Sequence, residues 1–138
     1  MNILKYRNIY TANRNELYEI NNFLESIGDG WVNLVEKLSE DISKELENKN
    51  SNFKICGMKN IKNNMIYIKR KYSTKEIENI IHHFEIYTMH TCNICGNEGK
   101  YQKNKNNEFM VICDSCRLKD KKTTWLKYIL NFIKGFLK

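Results

Sequence analysis

Two Cys-x2-Cys pairs constrain this chain of 138 residues more than any other feature of its sequence. Cys92 and Cys95 form the first pair, Cys113 and Cys116 form the second, and seventeen residues separate the two. This spacing lies within the range of four-cysteine zinc sites. Two residues between cysteines let one tight turn point both sulfurs at one ion, and two such turns complete a tetrahedron of thiolates. The sequence therefore predicts one bound Zn2+ ion.

The residues around the pairs fit a zinc ribbon. Gly96 directly follows the first pair and suits the backbone of a metal-binding turn. Residues 101–103 and 109–112 have the pattern of two short strands, which predicts a hairpin between the turns. Four protein ligands leave no coordination position for water or substrate, so the predicted zinc is structural and not catalytic.

Three other uses of the four cysteines fit the sequence less well. Disulfides require an oxidising compartment, which nothing else in the sequence indicates. A thioredoxin-like redox pair needs one Cys-x2-Cys at the start of a helix that follows a strand. An iron–sulfur cluster can also use four cysteines. The paired spacing favours zinc over each of these.

Apolar residues recur at helical spacing in three stretches before the cysteines. Residues 13–27 and 31–46 predict two amphipathic helices joined by a Gly-Asp-Gly turn, and we expect them to form an antiparallel hairpin. Ser73 and Glu76 have the spacing of a capping box, which predicts the start of a third helix. The third helix leads directly into the cysteines, so we expect the cysteine module to be fixed to the rest of the chain.

Residues 53–58 and 65–72 predict two strands. A two-stranded ribbon is marginal alone, so it needs to pack on the helices or on a third strand. The predicted fold class is α+β: a helical hairpin, a β-ribbon and a third helix, followed by a zinc ribbon and a C-terminal amphipathic helix. We divide the chain into an α+β body (1–90), the zinc ribbon (91–117), and a charged connector with the apolar last helix (118–138).

The last predicted helix is unusually apolar. Thr123 or Thr124 can cap it, and lysines and an asparagine form only one narrow polar stripe along it. Its length of about 14 residues is too short to span a bilayer. We favour packing of this helix on the body; a homodimer or partner interface and association with a membrane surface are the alternatives.

The net charge of +7 is unevenly distributed. Residues 1–52 carry 6 basic and 9 acidic side chains, a net charge of -3, whereas residues 53–138 carry 17 and 7, a net charge of +10. Asn, Lys and Ile make up 56 of the 138 residues, as an AT-rich genome favours, so the lysines also have a purely compositional explanation. A mean hydropathy of -0.63 argues against a membrane-spanning helix. With no secretory signal visible, we expect a cytoplasmic protein.

Two basic clusters are the candidate partner-binding surface. Lysines interleaved with an aromatic ring suit phosphate contacts combined with base stacking. Solvated lysines, or lysines that contact an acidic protein surface, are the alternatives. One cluster lies on the second predicted strand, and the other lies on and after the ribbon; together they contain Lys69, Arg70, Lys71, Lys100, Tyr101, Lys103, Lys105, Arg117, Lys119, Lys121 and Lys122.

The sequence contains no recognisable catalytic motif. It has no glycine-rich phosphate loop, no His-Glu-x-x-His and no nucleophile elbow, so we expect a protein that is not an enzyme. Cys56 is predicted to be a small buried residue, with a reactive thiol as the alternative. His90 precedes the first cysteine pair and is expected to be solvated or capping, with metal ligation as the alternative. His82 and His83 fall on the third predicted helix.

Several of these features occur together in one known group of proteins. Gly30-Trp31 opening an amphipathic helix (GWVNLVEKLSEDI), the two-stranded middle, the capped helix and TCNICGNEG with a second cysteine pair resemble small, functionally uncharacterised proteins of phages and prophages. The similarity covers residues 30–117. The segment GMKNIKNNMIYIKRKY departs from the strand pattern of those proteins. The resemblance implies a mobile-element context, in which small proteins often bind host machinery.

Two functional hypotheses follow. The first is a non-enzymatic zinc-ribbon protein of phage or prophage type that engages nucleic acid or a nucleic-acid-handling complex through a basic face. The alternative is a mobile-element-encoded inhibitor, of the anti-defence or anti-CRISPR kind, that binds a host nuclease complex directly. Both place the protein in the host cytoplasm. An enzyme that uses Cys56 or a histidine is a third, weaker hypothesis.

Overall fold

The computed structural model describes residues 1–118. The predicted last helix, and with it Lys119, Lys121 and Lys122, lies outside the described residues. The mixture of helices and two small antiparallel sheets confirms an α+β fold in the described part. Its elements are a 3-10 helix (Ile3–Tyr6), α1 (Arg14–Ser26), α2 (Asp29–Leu46), β1 (Lys54–Ile61), β2 (Met65–Lys71), α3 (Lys75–His90), β3 (Lys100–Lys103) and β4 (Phe109–Ile112).

Side-chain caps fix where two of the helices begin. The Asn13 side chain accepts hydrogen bonds from the first turn of α1. Thr74 caps α3, because its hydroxyl oxygen accepts from the backbone N–H of Ile77 at 3.2 Å. The predicted cap at Ser73 is therefore one residue too early. Tyr72, between β2 and this helix, has a left-handed conformation, φ 57.

The two N-terminal helices do not pack as the predicted antiparallel hairpin. Helix α1 packs mainly against β1, and α2 packs mainly against α3. The Gly-Asp-Gly segment also differs from the predicted turn, because only Gly28 is a cap and α2 already begins at Asp29. Apolar periodicity within one helix shows which face is buried but does not identify the element that covers it.

Strands β1 and β2 form an antiparallel ribbon with a bulge at Cys56, where the pairing shifts between Ile55 and Gly57. A short N-terminal segment adds a third, parallel partner to β1. Ile55 donates its N–H to the carbonyl of Ile9 at 2.7 Å, and its own carbonyl accepts from Thr11 at 2.9 Å. The ribbon therefore receives the additional support that its two strands require.

One apolar core connects most of the elements. Trp31 of α2, Ile66 and Ile68 of β2, and Ile81 of α3 are fully buried in it. Val111 of β4 belongs to the same cluster, so the strands between the cysteine pairs share the core of the preceding elements. Across residues 1–118 the helices fall short of the length and apolar character needed to cross a membrane.

Candidate metal centre and basic surface

The first cysteine turn, residues 92–96, follows α3 after a single residue, Thr91. The N–H of Gly96 donates to the carbonyl of Cys92 at 3.0 Å and closes the turn. Gly96 has φ 83, a left-handed conformation that glycine adopts without steric cost. The next N–H, that of Asn97, lies 3.5 Å from the Cys95 sulfur. The turn thus presents both sulfurs and directs a backbone donor at one of them.

The second cysteine turn, residues 113–117, follows β4. The N–H of Arg117 donates to the carbonyl of Cys113 at 3.0 Å, and residues 114–118 are helical. Within this turn the N–H of Cys116 donates to the sulfur of Cys113 at 3.3 Å. Hydrogen bonds from N–H groups favour the charged form of an acceptor, so both turns are suited to hold thiolates.

The hairpin predicted between the turns is present as β3 and β4. It brings the two turns together, and the sulfur atoms of all four cysteines lie within 4.8 Å of one another. The sulfurs of Cys95 and Cys113 are 3.7 Å apart. In a tetrahedron with Zn–S bonds of about 2.3 Å, neighbouring sulfurs lie about 3.8 Å apart. Cys92, Cys95, Cys113 and Cys116 therefore form a potential metal site whose dimensions suit a zinc ion.

The pKa values of Cys92, Cys113 and Cys116 are shifted in different directions. Burial raises the pKa of Cys92, but hydrogen bonds from the backbone of Cys95 and Cys113 help to outweigh burial and lower the pKa to about 7. Burial raises the pKa of Cys113, and burial together with hydrogen bonds to neighbouring thiols raises that of Cys116. A cation among the sulfurs would stabilise all the thiolates, because a coordinating thiol loses its proton to the charge of the ion.

The start of α2 is docked directly on the first cysteine turn. The N–H groups of Gly30 and Trp31 donate to the carbonyls of Ile94 and Asn93, at 3.1 and 3.2 Å. These N–H groups belong to the first turn of the helix, and that of Trp31 is shared with the carbonyl of Gly28 at 3.1 Å. The cysteine turn therefore supplies backbone acceptors to the start of α2. The Trp31 indole N–H donates to the carbonyl of Thr91 at 2.9 Å.

Two glycines make this close approach possible. A Cβ atom on Gly30 would overlap the carbonyl oxygen of Cys92 and the backbone nitrogen of Gly96. A Cβ atom on Gly28 would overlap the carbonyl oxygen of Asn93. Since backbone atoms on both sides would have to move, the Gly-x-Gly-Trp sequence is a docking motif for the cysteine turn. In the sequence, Gly28-Asp29-Gly30 predicts only a turn and Gly30-Trp31 only the start of a helix and a resemblance, and neither indicates this contact.

The tip of the β1–β2 ribbon holds the cysteine module, residues 91–117, from another side. The N–H of Val111 donates to the carbonyl of Asn63 at 3.2 Å. The hydroxyl of Tyr101 donates to the carbonyl of Lys62 at 3.0 Å. Together with the α2 contacts, these hydrogen bonds attach the module to the preceding elements.

Strand alternation separates the basic residues of β2. Lys69 and Lys71 are exposed on one face of the ribbon, together with Tyr67 and, opposite it on β1, Lys59. We call these four residues the outer ribbon face. Arg70 begins on the other face, and its guanidinium lies 5.7 Å from the centroid of the Tyr67 ring.

The Arg70 side chain is bonded to other groups of the protein. Its guanidinium contacts the Glu78 carboxylate at 2.7 Å and donates to the carbonyl of Ile68 at 2.8 Å. A second carboxylate, that of Glu85, lies 3.8 Å away. The structure therefore places Arg70 in a contact between β2 and α3 and apart from the two lysines that the sequence grouped with it.

The basic residues of the cysteine module also divide by face. Lys100 lies 3.8 Å from the carboxylate of Asp114. Tyr101 and Lys103 lie on the other face of β3, where Tyr101 stacks on Phe109 of β4. Lys103, Lys105 and Arg117 line a common cavity of about 250 Å³. The structure thus brings Lys103, Lys105 and Arg117 together and pairs Lys100 with an acidic residue.

Sequence reasoning missed Phe109 and the lysines at positions 59 and 62. Phe109 was assigned to a strand, but its exposed ring was not connected with Tyr101. The register of the hairpin places Lys103 opposite Phe109 and Tyr101 opposite Val111. Tyr101 and Phe109 are therefore diagonal neighbours on one face of the hairpin. A register drawn from the predicted strand ends would have indicated the pair.

The remaining candidates lie apart from the sulfur cluster. Cys56 is buried at the β1 bulge, and burial raises its pKa, as expected for a small buried residue. His90, His82 and His83 are exposed. Among the described residues, the four cysteines are the one group of three or more metal-ligating side chains that lie close together.

An apolar cavity of about 430 Å³ lies between α2 and α3. Its apolar lining comprises Leu34, Leu38, Ile80, Phe84 and Tyr87. None of the cysteines or of the predicted basic residues lines it. The cavity is therefore a feature separate from the candidate metal centre and from the basic clusters.

Comparison of the chain with protein-family models, with curated proteins and with solved structures finds no significant match. The resemblance to phage and prophage proteins stays a prediction.

Proposed function

We propose that the four cysteines bind one Zn2+ ion and that the cysteine module is a structural zinc ribbon. The sulfur distances, the backbone donors aimed at two sulfurs and the hairpin between the turns support this assignment. Four thiolates would complete the coordination of the ion, so its role is to hold the two turns together. When bound, zinc supplies the cross-link that keeps the first turn in place under α2.

Cobalt substitution tests this assignment. Co2+ held by four thiolates in a tetrahedron is expected to give intense visible and near-ultraviolet absorption, because it is spectroscopically active where zinc is silent. Replacing Cys95 by Ser should weaken and shift these bands, whereas replacing Cys56 by Ala should leave them unchanged. Absence of tetrahedral thiolate bands in the unmodified protein would refute the four-cysteine site.

We further propose that the protein is a non-enzymatic binding protein that engages nucleic acid through its basic surface. The main support for this proposal is the outer ribbon face, on which three exposed lysines surround an exposed tyrosine. Lysines neutralise phosphates and release counterions, and aromatic rings contact bases. The Tyr101–Lys62 hydrogen bond connects the tip of this ribbon with the lysines of the cysteine module.

Salt dependence tests direct nucleic-acid binding. We expect the affinity for labelled DNA and RNA to fall steeply between low and moderate salt, since phosphate contacts release counterions. The double variant Lys69→Glu/Lys71→Glu should weaken binding strongly. The charge-matched control Lys37→Glu/Lys44→Glu changes exposed lysines of α2 and should have a smaller effect. Negligible binding at low salt would refute the proposal.

The inhibitor hypothesis predicts a different outcome in a native pull-down from host-like lysate. A stoichiometric protein partner that persists after nuclease treatment would favour direct binding of a host nuclease complex. Recovery of nucleic acid that nuclease treatment abolishes, along with its associated proteins, would favour direct nucleic-acid binding.

A further inference from the structure

Two exposed aromatic rings form a stacked pair on the hairpin of the cysteine module. The ring centroids of Tyr101 and Phe109 are 5.2 Å apart, with an angle of 29° between the ring planes. The residues remain 44% and 45% exposed, so a large part of this apolar surface is open to solvent. Exposed aromatic rings of this size are a preferred contact surface for planar ligands.

The pair is held in position and carries positive charge beside it. The Tyr101 hydroxyl donates to the carbonyl of Lys62 at 3.0 Å, which ties its ring to the neighbouring ribbon. The Lys103 ammonium lies over the Phe109 ring, 5.5 Å from its centroid. A ring that is already fixed loses little side-chain freedom when a ligand stacks on it. A nucleotide at this position would meet a ring and a phosphate-binding ammonium together.

The two faces of the hairpin differ in charge. Asp114 contacts the side chains of Lys100 and Gln102. These two residues alternate with Tyr101 and Lys103 along β3, so they lie on its other face. Its carboxylate accepts from the Gln102 side chain at 3.1 Å and lies near the Lys100 ammonium. The acidic group is thus engaged on the face opposite the aromatic pair, and the aromatic face keeps its positive charge.

We propose that Tyr101 and Phe109 form a base-stacking platform that gives the protein a preference for single-stranded over duplex nucleic acid. This inference rests on the proposed nucleic-acid binding. Bases in a duplex are covered by their neighbours above and below, whereas an unpaired base offers a free face to an aromatic ring. Loss of one stacked base lowers affinity roughly 5- to 100-fold.

The test uses the full-length, zinc-loaded protein and fluorescence anisotropy. The probes are a labelled oligothymidylate, a labelled oligouridylate and a labelled duplex of equal length. The unmodified protein should bind at least one single strand about tenfold or more tightly than the duplex. The double variant Tyr101→Ala/Phe109→Ala should lose this preference while its duplex affinity and salt dependence change little.

Two further variants separate stacking from folding. Phe109→Tyr keeps an aromatic ring and should keep the preference for single strands. Tyr18→Ala removes a tyrosine of α1 that is 68% exposed and should change neither affinity. Zinc content measured on each variant identifies any variant that fails to fold. The comparison of single-stranded and duplex probes on the unmodified protein tests the proposal even if a variant does not fold.

The outcomes distinguish failure of the stacking platform from failure of nucleic-acid binding. Equal or tighter binding of the duplex by the unmodified protein overturns the platform, while nucleic-acid binding itself stands. An unchanged preference in the folded double variant also overturns it. Absence of binding to every probe at low salt overturns the proposed function and the platform together.

Discussion

At the residue scale, Gly30 is the glycine of the docking motif at which an added Cβ atom would have the closest contacts. Its missing side chain allows the first turn of α2 to contact the backbone of the first cysteine turn, and its N–H is bonded across that contact. The sequence showed the Gly-Trp pair but not its reason, because the partner is more than sixty positions away. By contrast, the four metal ligands were predictable, since their spacing encodes the two turns locally.

Gly30→Ala should lower the free energy of unfolding by about 2–4 kcal/mol, because the added methyl group overlaps two backbone groups. Gly57→Ala is the matched control. Its Cβ would meet only the Lys69 side chain at 3.5 Å, an ordinary van der Waals contact. Chemical denaturation followed by circular dichroism measures both changes. Equal stability of the two variants would contradict the docking of α2 on the cysteine turn.

Arg70 and Lys69 are neighbours in sequence but should respond differently to substitution. Arg70→Gln should lower stability by about 0.5–1 kcal/mol, because it removes a partly exposed ion pair with Glu78. Lys69→Gln should leave stability nearly unchanged and weaken nucleic-acid binding. Denaturation and anisotropy measurements on both variants test this division. A larger loss of affinity in Arg70→Gln than in Lys69→Gln would contradict it.

At the scale of elements, the cysteine turns and α2 depend on each other. Sequence patterns predicted the three helices, the ribbon and the hairpin of β3 and β4, since periodicity and spacing are properties of one segment. They did not predict that α1 packs on β1, because the choice of partner depends on surfaces elsewhere in the chain. The Cys56 bulge was also hidden, since the sequence around it reads as one continuous strand.

Removal of zinc by a chelator should loosen the start of α2 along with the cysteine module. The amide of Gly30 donates to a carbonyl of the first cysteine turn, so it should lose hydrogen-exchange protection when that turn opens. Residues Ile42 and Ile68 should remain protected longer, because they lie within the core. NMR-detected exchange tests this order. Retained protection of Gly30 after zinc removal would contradict it.

At the scale of the whole molecule, the acidic and basic parts of the sequence become different surfaces on a shared core. Residues 1–52 supply the acidic helices, and the basic residues follow on the ribbon and the cysteine module. Val111 of the cysteine module packs in the main core. Backbone hydrogen bonds attach the module to α2 and to the ribbon tip. Charge counts indicated the division but not which lysines are free of internal partners.

The shared core predicts that the zinc-loaded protein unfolds in one cooperative transition. Circular dichroism and the methyl signals of Val111 and Ile42 should change together during denaturation, because the module and the body bury the same cluster. Two separate transitions, with Val111 changing before Ile42, would show that the module unfolds independently.

Native mass spectrometry of the unmodified protein tests the central claim, a structural zinc ion held by four cysteines, most directly. We predict a folded species that carries one Zn2+ ion held by thiolates. At equal charge its mass should exceed that of the metal-free protein by the mass of zinc less the two protons that the ion replaces. Substitution of Cys92 or Cys116 by Ser should strongly lower the zinc-bound fraction, and Cys56→Ala should leave it unchanged. A folded unmodified protein without metal, or a zinc-bound fraction that neither ligand substitution lowers, would contradict the account.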